Sequence, residues 1–358
     1  MSPRSAPPDR SAPAGVLLVT RDRALGDHIR ALADAAGTRV TVQPTAAGPA
    51  FRGSALVLVG VDATDDVPRG RSGVVLVARI DGGEVPEGVW KQALELGAEQ
   101  VAVLPEAEPW LLDRLIDAAG PVDRAPVIAV IGGRGGAGAS TLAVALATTA
   151  ARSGLRPVLI DADPWGGGID LALGAEQLKG LRWPELPFGS GRLRPGALIG
   201  LLPDAGGVGV LACPRREPFE LAPAAAAAAL DAAARDGDLV VVDLPRRVGP
   251  TEQGLLSACN RVLLVVPAEV RAAASGAQVM AAVDVHTADL RVVVRGPAPT
   301  GLEAEAVADA LALPLQGELR PEPGLAAALD RGEAGSLPPR GPLALLSRRI
   351  LAELLGAS

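Results

Sequence analysis

The chain carries the sequence GGRGGAGAST at residues 132–141, directly after an unbroken apolar run, PVIAVI, at residues 126–131. An alanine-rich segment follows and ends at Gly154. The apolar run predicts a buried strand, and the alanine-rich segment predicts a helix that a glycine terminates. A glycine-rich turn between a strand and a helix is typical of a phosphate-binding loop (P-loop), because its backbone N–H groups and the helix N-terminus attract anions.

Compared with the P-loop pattern Gly-x-x-x-x-Gly-Lys-[Ser/Thr], the stretch retains Gly133, Gly138 and Ser140. Ala139 stands at the position of the lysine that contacts the β- and γ-phosphates. Glycines in such a turn are a weak signal by themselves, because close packing of a helix on a sheet also selects glycine. The nucleotide interpretation therefore depends on the strands that follow.

Two later apolar runs end in carboxylates. VLIDADP places Asp161 and Asp163 about twenty residues past the loop, and DLVVVDLP ends its strand with Asp243. A third run, RVLLVVP at residues 261–267, predicts another buried strand. Ligand sites in such sheets lie at the carboxyl ends of the parallel strands. In P-loop nucleoside triphosphatases, a carboxylate that ends a strand typically positions Mg²⁺. These aspartates are therefore predicted to be functional.

This order of motifs resembles that of the MinD/ParA group of deviant Walker ATPases, whose loop reads Lys-Gly-Gly-x-Gly-Lys-[Ser/Thr]-Thr. The chain reads RGGAGAST at residues 134–141, and the resemblance covers roughly residues 126–335. A receiver-like block in front of these motifs is similar to the CpaE/TadZ branch of the group. The stretches DADPWGGGID and GLRWPE look like those of its actinobacterial septum site-determining (Ssd) members.

The resemblance implies a site for ATP and Mg²⁺ at which Ser140 and Asp243 hold the metal, while Asp161 and Asp163 act in catalysis by positioning water and metal. It also implies a homodimer in which two copies meet across their nucleotides. The candidate nucleotide-binding residues belong to the loop and to the first turn of its helix: Gly133, Arg134, Gly135, Gly136, Ala137, Gly138, Ala139, Ser140 and Thr141.

Three departures from the family pattern concern charge and base recognition. Ala139 replaces the lysine that holds the chain's own nucleotide, and Arg134 replaces the lysine that reaches the partner's nucleotide. Val294 stands where the family often has the asparagine that reads adenine. A charge-assisted contact is worth ~1.5–3 kcal/mol, so its loss predicts ATP binding about ten- to a hundred-fold weaker. Two interpretations stay open here, a degenerate ATP site and an authentic slow Mg-ATPase.

Residues 15–120 alternate between strand-like and helix-like patterns and predict a receiver-like, flavodoxin-like domain with a parallel sheet. A short linker follows at residues 121–126. Residues 127–358 are then predicted to form a MinD/ParA-type P-loop domain with a mostly parallel sheet and a C-terminal helix, so the whole chain is expected to be α/β. Residues 1–14, rich in Pro, Ser and Arg, are predicted to be disordered.

The receiver-like block lacks the chemistry of a phosphorylated receiver. The positions at which a receiver carries its acidic pair, phosphoacceptor, hydroxyl and lysine are Thr20, Arg21, Gly60, Ala78 and Leu104. Asp22 and Asp62 lie nearby and would restore acids only after a shift of register. We therefore interpret the block as a pseudo-receiver for interaction or dimerisation, and a response regulator is the weaker alternative.

Composition excludes several classes of protein. Apolar residues make up 49% of the chain, which rules out wholesale disorder. With two cysteines, Cys213 and Cys259, and two histidines, a disulfide framework and a Cys/His zinc site are not expected. The net charge of −7 argues against DNA coating, so no specific nucleic-acid partner is predicted. No apolar run approaches the ~20 residues of a membrane span, and a cytoplasmic location is predicted.

The C-terminal segment, residues 342–355, has an apolar stripe together with Arg348 and Arg349. Docking on the sheet of the P-loop domain is the favoured interpretation, and peripheral contact with anionic lipid is the alternative. The family resemblance implies a spatial regulator of division-site selection or of Tad-type pilus placement. Its expected partners are cell-division or pilus-assembly proteins, met at a pole or septum.

Overall fold

The computed structural model describes residues 15–46, 48–68, 73–80, 85–118, 124–186, 197–215, 219–298 and 301–356. The predicted disordered N-terminus, residues 1–14, and residues 121–123 of the predicted linker lie outside this set. The described residues form two compact units, divided in the sequence between residues 118 and 124.

In the described part of the first unit, five parallel strands form one sheet in the order β2-β1-β3-β4-β5. The strands are β1 (Val16–Val19), β2 (Val40–Gln43), β3 (Leu56–Gly60), β4 (Val74–Arg79) and β5 (Gln100–Leu104). The central strands are apolar at nearly every position because a buried core lies on each face of the sheet. This is the flavodoxin-like strand order, so the predicted fold of this unit is confirmed.

The helices described in this unit are α1 (Arg23–Ala35), α2 (Gly48–Gly53), α3 (Glu87–Leu96) and α4 (Glu108–Ala118). α1 begins after Asp22, whose carboxylate accepts hydrogen bonds from two backbone N–H groups of the first turn. Leu25, Ile29 and Ala33 recur every four residues along α1 and are buried against the sheet. The helix thus follows from a capping residue and a single apolar stripe.

The second unit, as far as it is described, contains a seven-stranded parallel sheet in the order β12-β11-β10-β6-β9-β7-β8. The strands are β6 (Val127–Gly132), β7 (Pro157–Asp161), β8 (Gly209–Leu211), β9 (Leu239–Leu244), β10 (Arg261–Pro267), β11 (Leu290–Arg295) and β12 (Leu315–Leu319). β6, which leads into the glycine-rich loop, lies between β9 and β10 in the middle of the sheet. The predicted α/β architecture of this unit is confirmed.

The helices described in this unit are α5 (Ala139–Arg152), α6 (Ile169–Ala172), α7 (Ala197–Leu201), α8 (Pro223–Asp236), α9 (Pro250–Ser257), α10 (Val270–Val283), α11 (Ala304–Leu311), α12 (Leu325–Asp330) and α13 (Pro342–Gly356). α5 is buried around its whole circumference from residue 142 to residue 150, because the sheet covers one side and α13 covers another. That burial explains why the helix after the loop consists almost entirely of small apolar residues.

α13 packs its apolar stripe into the core of the second unit, where Leu346, Ile350 and Leu354 join the cluster that contains α5. The docking interpretation of this segment is thereby confirmed. Among the helices that the structure describes, none is long and apolar enough to cross a membrane.

Candidate functional site

The glycine-rich loop connects the end of β6 at Gly132 to the start of α5 at Ala139. Gly136 has a φ of 68° and Gly138 a φ of 101°, values in the left-handed region that side chains disfavour. The chain therefore needs glycine at both positions to turn from the strand into the helix. A turn of this kind directs successive backbone N–H groups toward a bound anion.

Gly133 anchors the loop to its neighbours. Its N–H donates to the carbonyl of Val265 at 2.8 Å, and its carbonyl accepts from the hydroxyl of Ser275 at 2.7 Å. A β-carbon on Gly133 would lie 2.9 Å from Val266 and 3.0 Å from Gly276, too close for any side chain. Gly133 is thus required for the packing of α10 against the loop as well as for the motif.

Two carboxylates end neighbouring strands beside this loop. Asp161 of β7 and Asp243 of β9 are register partners, and their side chains are 2% and 5% exposed. Ser140, in the first turn of α5, donates its hydroxyl hydrogen bond to the Asp243 carboxylate. The structure therefore brings together the two predicted metal ligands, Ser140 and Asp243, with Asp161 on the adjacent strand.

Burial perturbs both acids. It raises the pKa of Asp243 to about 8, an effect that the nearby Asp161 and Asp163 charges increase and the Ser140 hydrogen bond opposes. Burial likewise raises the pKa of Asp161 to about 6, against hydrogen bonds from the backbone N–H groups of Asp163 and Ile169. Adjacent buried acids of this kind favour either a bound proton or a bound cation.

The donor set fits Mg²⁺. A hydroxyl and a carboxylate are hard oxygen donors, and Mg²⁺ in nucleotide sites takes one or two such protein ligands together with water and phosphate oxygens. Within the described ranges no group of three or more His, Cys, Asp and Glu residues could hold a metal by itself. A metal at Ser140 and Asp243 would thus depend on a bound phosphate for further ligands.

The loop after β7 is folded around Asp161. One of its carboxylate oxygens accepts from the N–H of Asp163 at 3.1 Å, and the other accepts from the N–H of Ile169 at 3.3 Å. Asp163 is half-buried and accepts from the N–H of Trp165 at 3.1 Å. Trp165 itself is 88% exposed. Asp161 therefore shapes the loop in addition to any role toward water, while Asp163 remains accessible.

A cavity of about 600 Å³ opens beside these residues. Its lining includes Ser140, Asp161 and Asp243 on one side and residues 330–332, at the end of α12, on another. Asp170, just beyond the glycines that line it, is buried and forms an ion pair with Arg215. Both predicted metal ligands and one of the two predicted catalytic residues, Asp161, thus border a space large enough for polyphosphate groups, whereas Asp163 is not part of its lining.

Ala139 and the other predicted loop residues occupy the expected turn. Ala139 is half-buried against the core, Ala137 is buried, Thr141 is half-buried in α5, and Gly135 is exposed. The side chain of Arg134, which also belongs to the loop, has a partner outside it: its guanidinium forms an ion pair with the carboxylate of Glu269 at 2.7 Å. No signal in the sequence pointed to Glu269, which lies in the chain 135 positions beyond Arg134.

Another arginine does approach the loop. Arg295, the last residue of β11, donates from Nη1 to the carbonyl of Gly136 at 2.7 Å. Val294 beside it is fully buried and borders a second cavity, of about 810 Å³, at the ends of β11 and β12. Glu318 and Arg320 also line this cavity, and neither was anticipated from the sequence.

In the first unit, hydrogen bonds and close packing occupy the positions at which a receiver carries its phosphorylation residues. Asp62 accepts from the Thr20 hydroxyl at 2.7 Å and from the N–H of Arg21 at 2.6 Å. A β-carbon on Gly60 would lie 2.3 Å from the Asp62 carboxylate, so that carboxylate fills the space of a side chain at the phosphoacceptor position. The carboxylate of Asp22 caps α1. The geometry agrees with a pseudo-receiver.

Comparison with known proteins finds a family match for each of the two units. Residues 19–126 match the family described as Rv3660c-like, CheY-like N-terminal domain, and residues 128–332 match the CobQ/CobB/MinD/ParA nucleotide binding domain. The chain is 42% identical over 282 residues to "Uncharacterized protein Rv3660c" of Mycobacterium tuberculosis H37Rv, covering 78% of this chain and 79% of that protein. The predicted receiver-like domain followed by a MinD/ParA-type domain is thereby confirmed.

Solved structures share the fold of the second unit. A ParA family ATPase from Chlorobium tepidum superposes with a TM-score of 0.56 at 15% identity, over 65% of this chain and 99% of that one. The septum site-determining protein MinD from Pyrococcus horikoshii, complexed with Mg-ADP, superposes with a TM-score of 0.54 at 17% identity, over 64% and 96%. At these identities the similarity shows the fold alone.

Proposed function

The chain belongs to the CobQ/CobB/MinD/ParA nucleotide-binding family, and on that premise we propose that it is a spatial regulator with a degenerate site for ATP and Mg²⁺. One observation carries the proposal. Ser140 and Asp243 are hydrogen-bonded at the phosphate loop, while Ala139 leaves the lysine position without a charge. A site that keeps its metal ligands and lacks the loop lysine is suited to nucleotide sensing with little turnover.

In this proposal Ser140 and Asp243 hold Mg²⁺, and Asp161 and Asp163 orient the water around it. Bound Mg²⁺ supplies positive charge to the phosphate oxygens. The buried Asp243 carboxylate holds a proton near neutral pH because of its raised pKa, and it releases that proton when a cation takes its place. Metal binding is therefore expected to be stronger at higher pH.

We further propose that the regulatory output is assembly. The exposed Trp165 and the half-exposed Arg134 lie in loops beside the nucleotide site, where a second copy of the chain would contact them in a nucleotide-bridged homodimer. A MinC:MinD cell-division complex from Aquifex aeolicus has the same fold in its matching chain, with a TM-score of 0.53 at 22% identity. That similarity supports a cell-division partner, whereas the CpaE/TadZ resemblance supports a pilus-assembly partner.

The proposed location is the cytoplasm, with recruitment to a pole or septum at the membrane. α13 has its apolar stripe in the core of the second unit, although Leu345 on its outer side is half-exposed. Recruitment is therefore assigned to a protein partner, and peripheral lipid contact by α13 is the secondary route.

An authentic slow Mg-ATPase is the second candidate. The retention of Asp161 and Asp163 beside Ser140 and Asp243 favours it, because a site used only as a scaffold has no need of water-positioning carboxylates. The two candidates share binding and differ in turnover.

The test combines binding, turnover and location. Full-length protein is titrated with N-methylanthraniloyl-ATP and Mg²⁺, released phosphate is followed in parallel, and a fluorescent fusion is imaged in the source cell. We expect weak binding that the Ser140→Ala variant reduces, trace turnover, and a polar or septal focus that Ser140→Ala disperses. Turnover of several molecules per minute would support the ATPase. A chain that binds no nucleotide and is diffuse in the cell would overturn the proposal.

A further inference from the structure

The arginines that lie in or approach the phosphate loop include Arg134, Arg246 and Arg295. Arg134 is engaged with the carboxylate of Glu269 at 2.7 Å, so its charge is already compensated within the chain. Arg246 is exposed, and its guanidinium lies 3.9 Å from the position that a β-carbon on Gly135 would take. Arg295 is half-buried and is hydrogen-bonded to the loop backbone.

The position of Arg295 is fixed at both ends. Its own carbonyl accepts from the N–H of Ala268 at 2.9 Å, and the N–H of Gly296 donates to the carbonyl of Leu319 at 3.0 Å, so the end of β11 is held between its neighbours. At the other end, Nη1 donates to the carbonyl of Gly136 at 2.7 Å. A guanidinium held in this way loses little further freedom when it binds an anion.

The guanidinium also lies beside the last glycine of the loop. Its Nη1 is 3.8 Å from the position of a β-carbon on Gly138, directly before Ala139. In the described part of the chain the other N–H groups of Arg295 make no hydrogen bond, and no carboxylate forms an ion pair with it. A positive charge with unused donors therefore lies next to the point where the family's lysine is missing.

We propose that Arg295 supplies, within the same chain, the phosphate-binding cation that the family's lysine would provide at position 139. The ligands are nucleoside di- and triphosphates, and the inference rests on the proposed nucleotide function of the loop. The remaining guanidinium N–H groups donate to phosphate oxygens while Nη1 holds the Gly136 carbonyl away from them. An arginine suits this double task because it presents several donors in one rigid plane, whereas a lysine is a single point charge.

The test measures binding of N-methylanthraniloyl-ATP with Mg²⁺ to the full-length chain and its variants. Arg295→Ala removes the cation, and Arg295→Gln keeps an N–H donor for the Gly136 carbonyl but no charge. Arg246→Ala is the matched control, because it removes an exposed arginine that also approaches the loop. Circular dichroism checks that each variant is folded.

We expect Arg295→Ala and Arg295→Gln to weaken binding about ten- to a hundred-fold, as the loss of one charge-assisted contact predicts. Arg246→Ala is expected to weaken it less than three-fold, roughly the effect of an exposed charge. In an Ala139→Lys background, the loss caused by Arg295→Ala shrinks because the lysine takes over the contact.

Three outcomes would overturn the inference and leave the proposed function standing. One is equal binding by wild type and Arg295→Ala, and another is an Arg295→Gln variant that binds like wild type, which would make Arg295 a positioning residue only. The third is binding by Ala139→Lys with none by wild type. Failure of both wild type and Ala139→Lys to bind would instead overturn the proposed function together with the inference.

Discussion

Asp161 and Asp243 are register partners on the neighbouring parallel strands β7 and β9, so their side chains leave the same face at the same end of the sheet. Both are buried, burial raises the pKa of each, and the charge of Asp161 further raises the cost of ionising Asp243. The pair is suited to a cation, and it is expected to make the stability of the second unit depend on pH.

Stability without ligand is expected to fall as pH rises. The folded pKa of Asp243 is about 8, above its ordinary value near 4, so between these values the unfolded chain releases a proton that the folded chain keeps. Each unit of pH in that window therefore favours unfolding, and the full cost is reached above pH 8. Asp161 adds a smaller effect of the same sign between about pH 4 and 6.

Thermal unfolding from pH 5 to pH 9 measures this dependence. Asp243→Asn should flatten the curve and raise the midpoint at pH 9, because no buried charge forms, while the exposed Asp34→Asn should leave the slope unchanged. A wild-type midpoint that rises from pH 5 to pH 9 would contradict the prediction.

Restoring the lysine should tighten ATP binding. We expect Ala139→Lys to increase affinity by ~1.5–3 kcal/mol in an Arg295→Ala background, where it restores a charge-assisted phosphate contact, and by less in the wild-type background, where Arg295 already contributes a cation. Titration calorimetry with Mg-ATP provides the measurement, and Ala139→Met, similar in length without the charge, is the control. Equal affinity of the lysine variant and wild type would mean that another cation already makes this contact.

Arg134 is expected to contribute to self-association. If its guanidinium reaches a partner's phosphates, Arg134→Ala should weaken the dimer formed with ATP and Mg²⁺, and Glu269→Gln should strengthen it by releasing Arg134 from its ion pair. Sedimentation velocity over a concentration series distinguishes these cases. Substitutions at Asp22 and Asp62 in the first unit serve as controls that leave the association constant unchanged. Arg134→Ala protein that dimerises as well as wild type would exclude this role.

The first unit should not accept phosphate. Gly60 offers no carboxylate, and Asp62 is engaged by the Thr20 hydroxyl and the N–H of Arg21. Intact mass after incubation of the full chain with acetyl phosphate and Mg²⁺ is expected to show no added phosphoryl group. A stoichiometric, acid-labile adduct on an aspartate would show that this unit is a working receiver.

Much of the sheet was predictable because parallel strands that are covered on both faces consist of unbroken apolar runs. RVLLVVP, predicted as a strand at residues 261–267, matches β10 to the residue. The short helices α2 and α12 were not predicted, because elements of six residues have too few turns to show a period.

Some of the site residues were likewise predictable from the sequence, and others were not. Ser140 and Asp243 were predictable because each belongs to a local motif with a strand or helix terminus beside it. The partners Glu269 for Arg134 and Arg295 for Gly136 were not, since only the strand order brings together residues 135 and 159 positions apart. Local patterns identify which residues are suited to phosphate and metal, and topology decides which charges surround them.

Because α13 covers one side of α5, the folding of the second unit during translation depends on the last helix of the chain to be made. The helix that begins at the phosphate loop leaves the ribosome about 190 residues before the helix that covers it. Until α13 emerges, α5 presents an uncovered apolar side, and this contact of long sequence separation forms late in folding. We therefore expect a nascent chain that lacks α13 to expose an apolar side of α5, which is a feature that holding chaperones and proteases recognise.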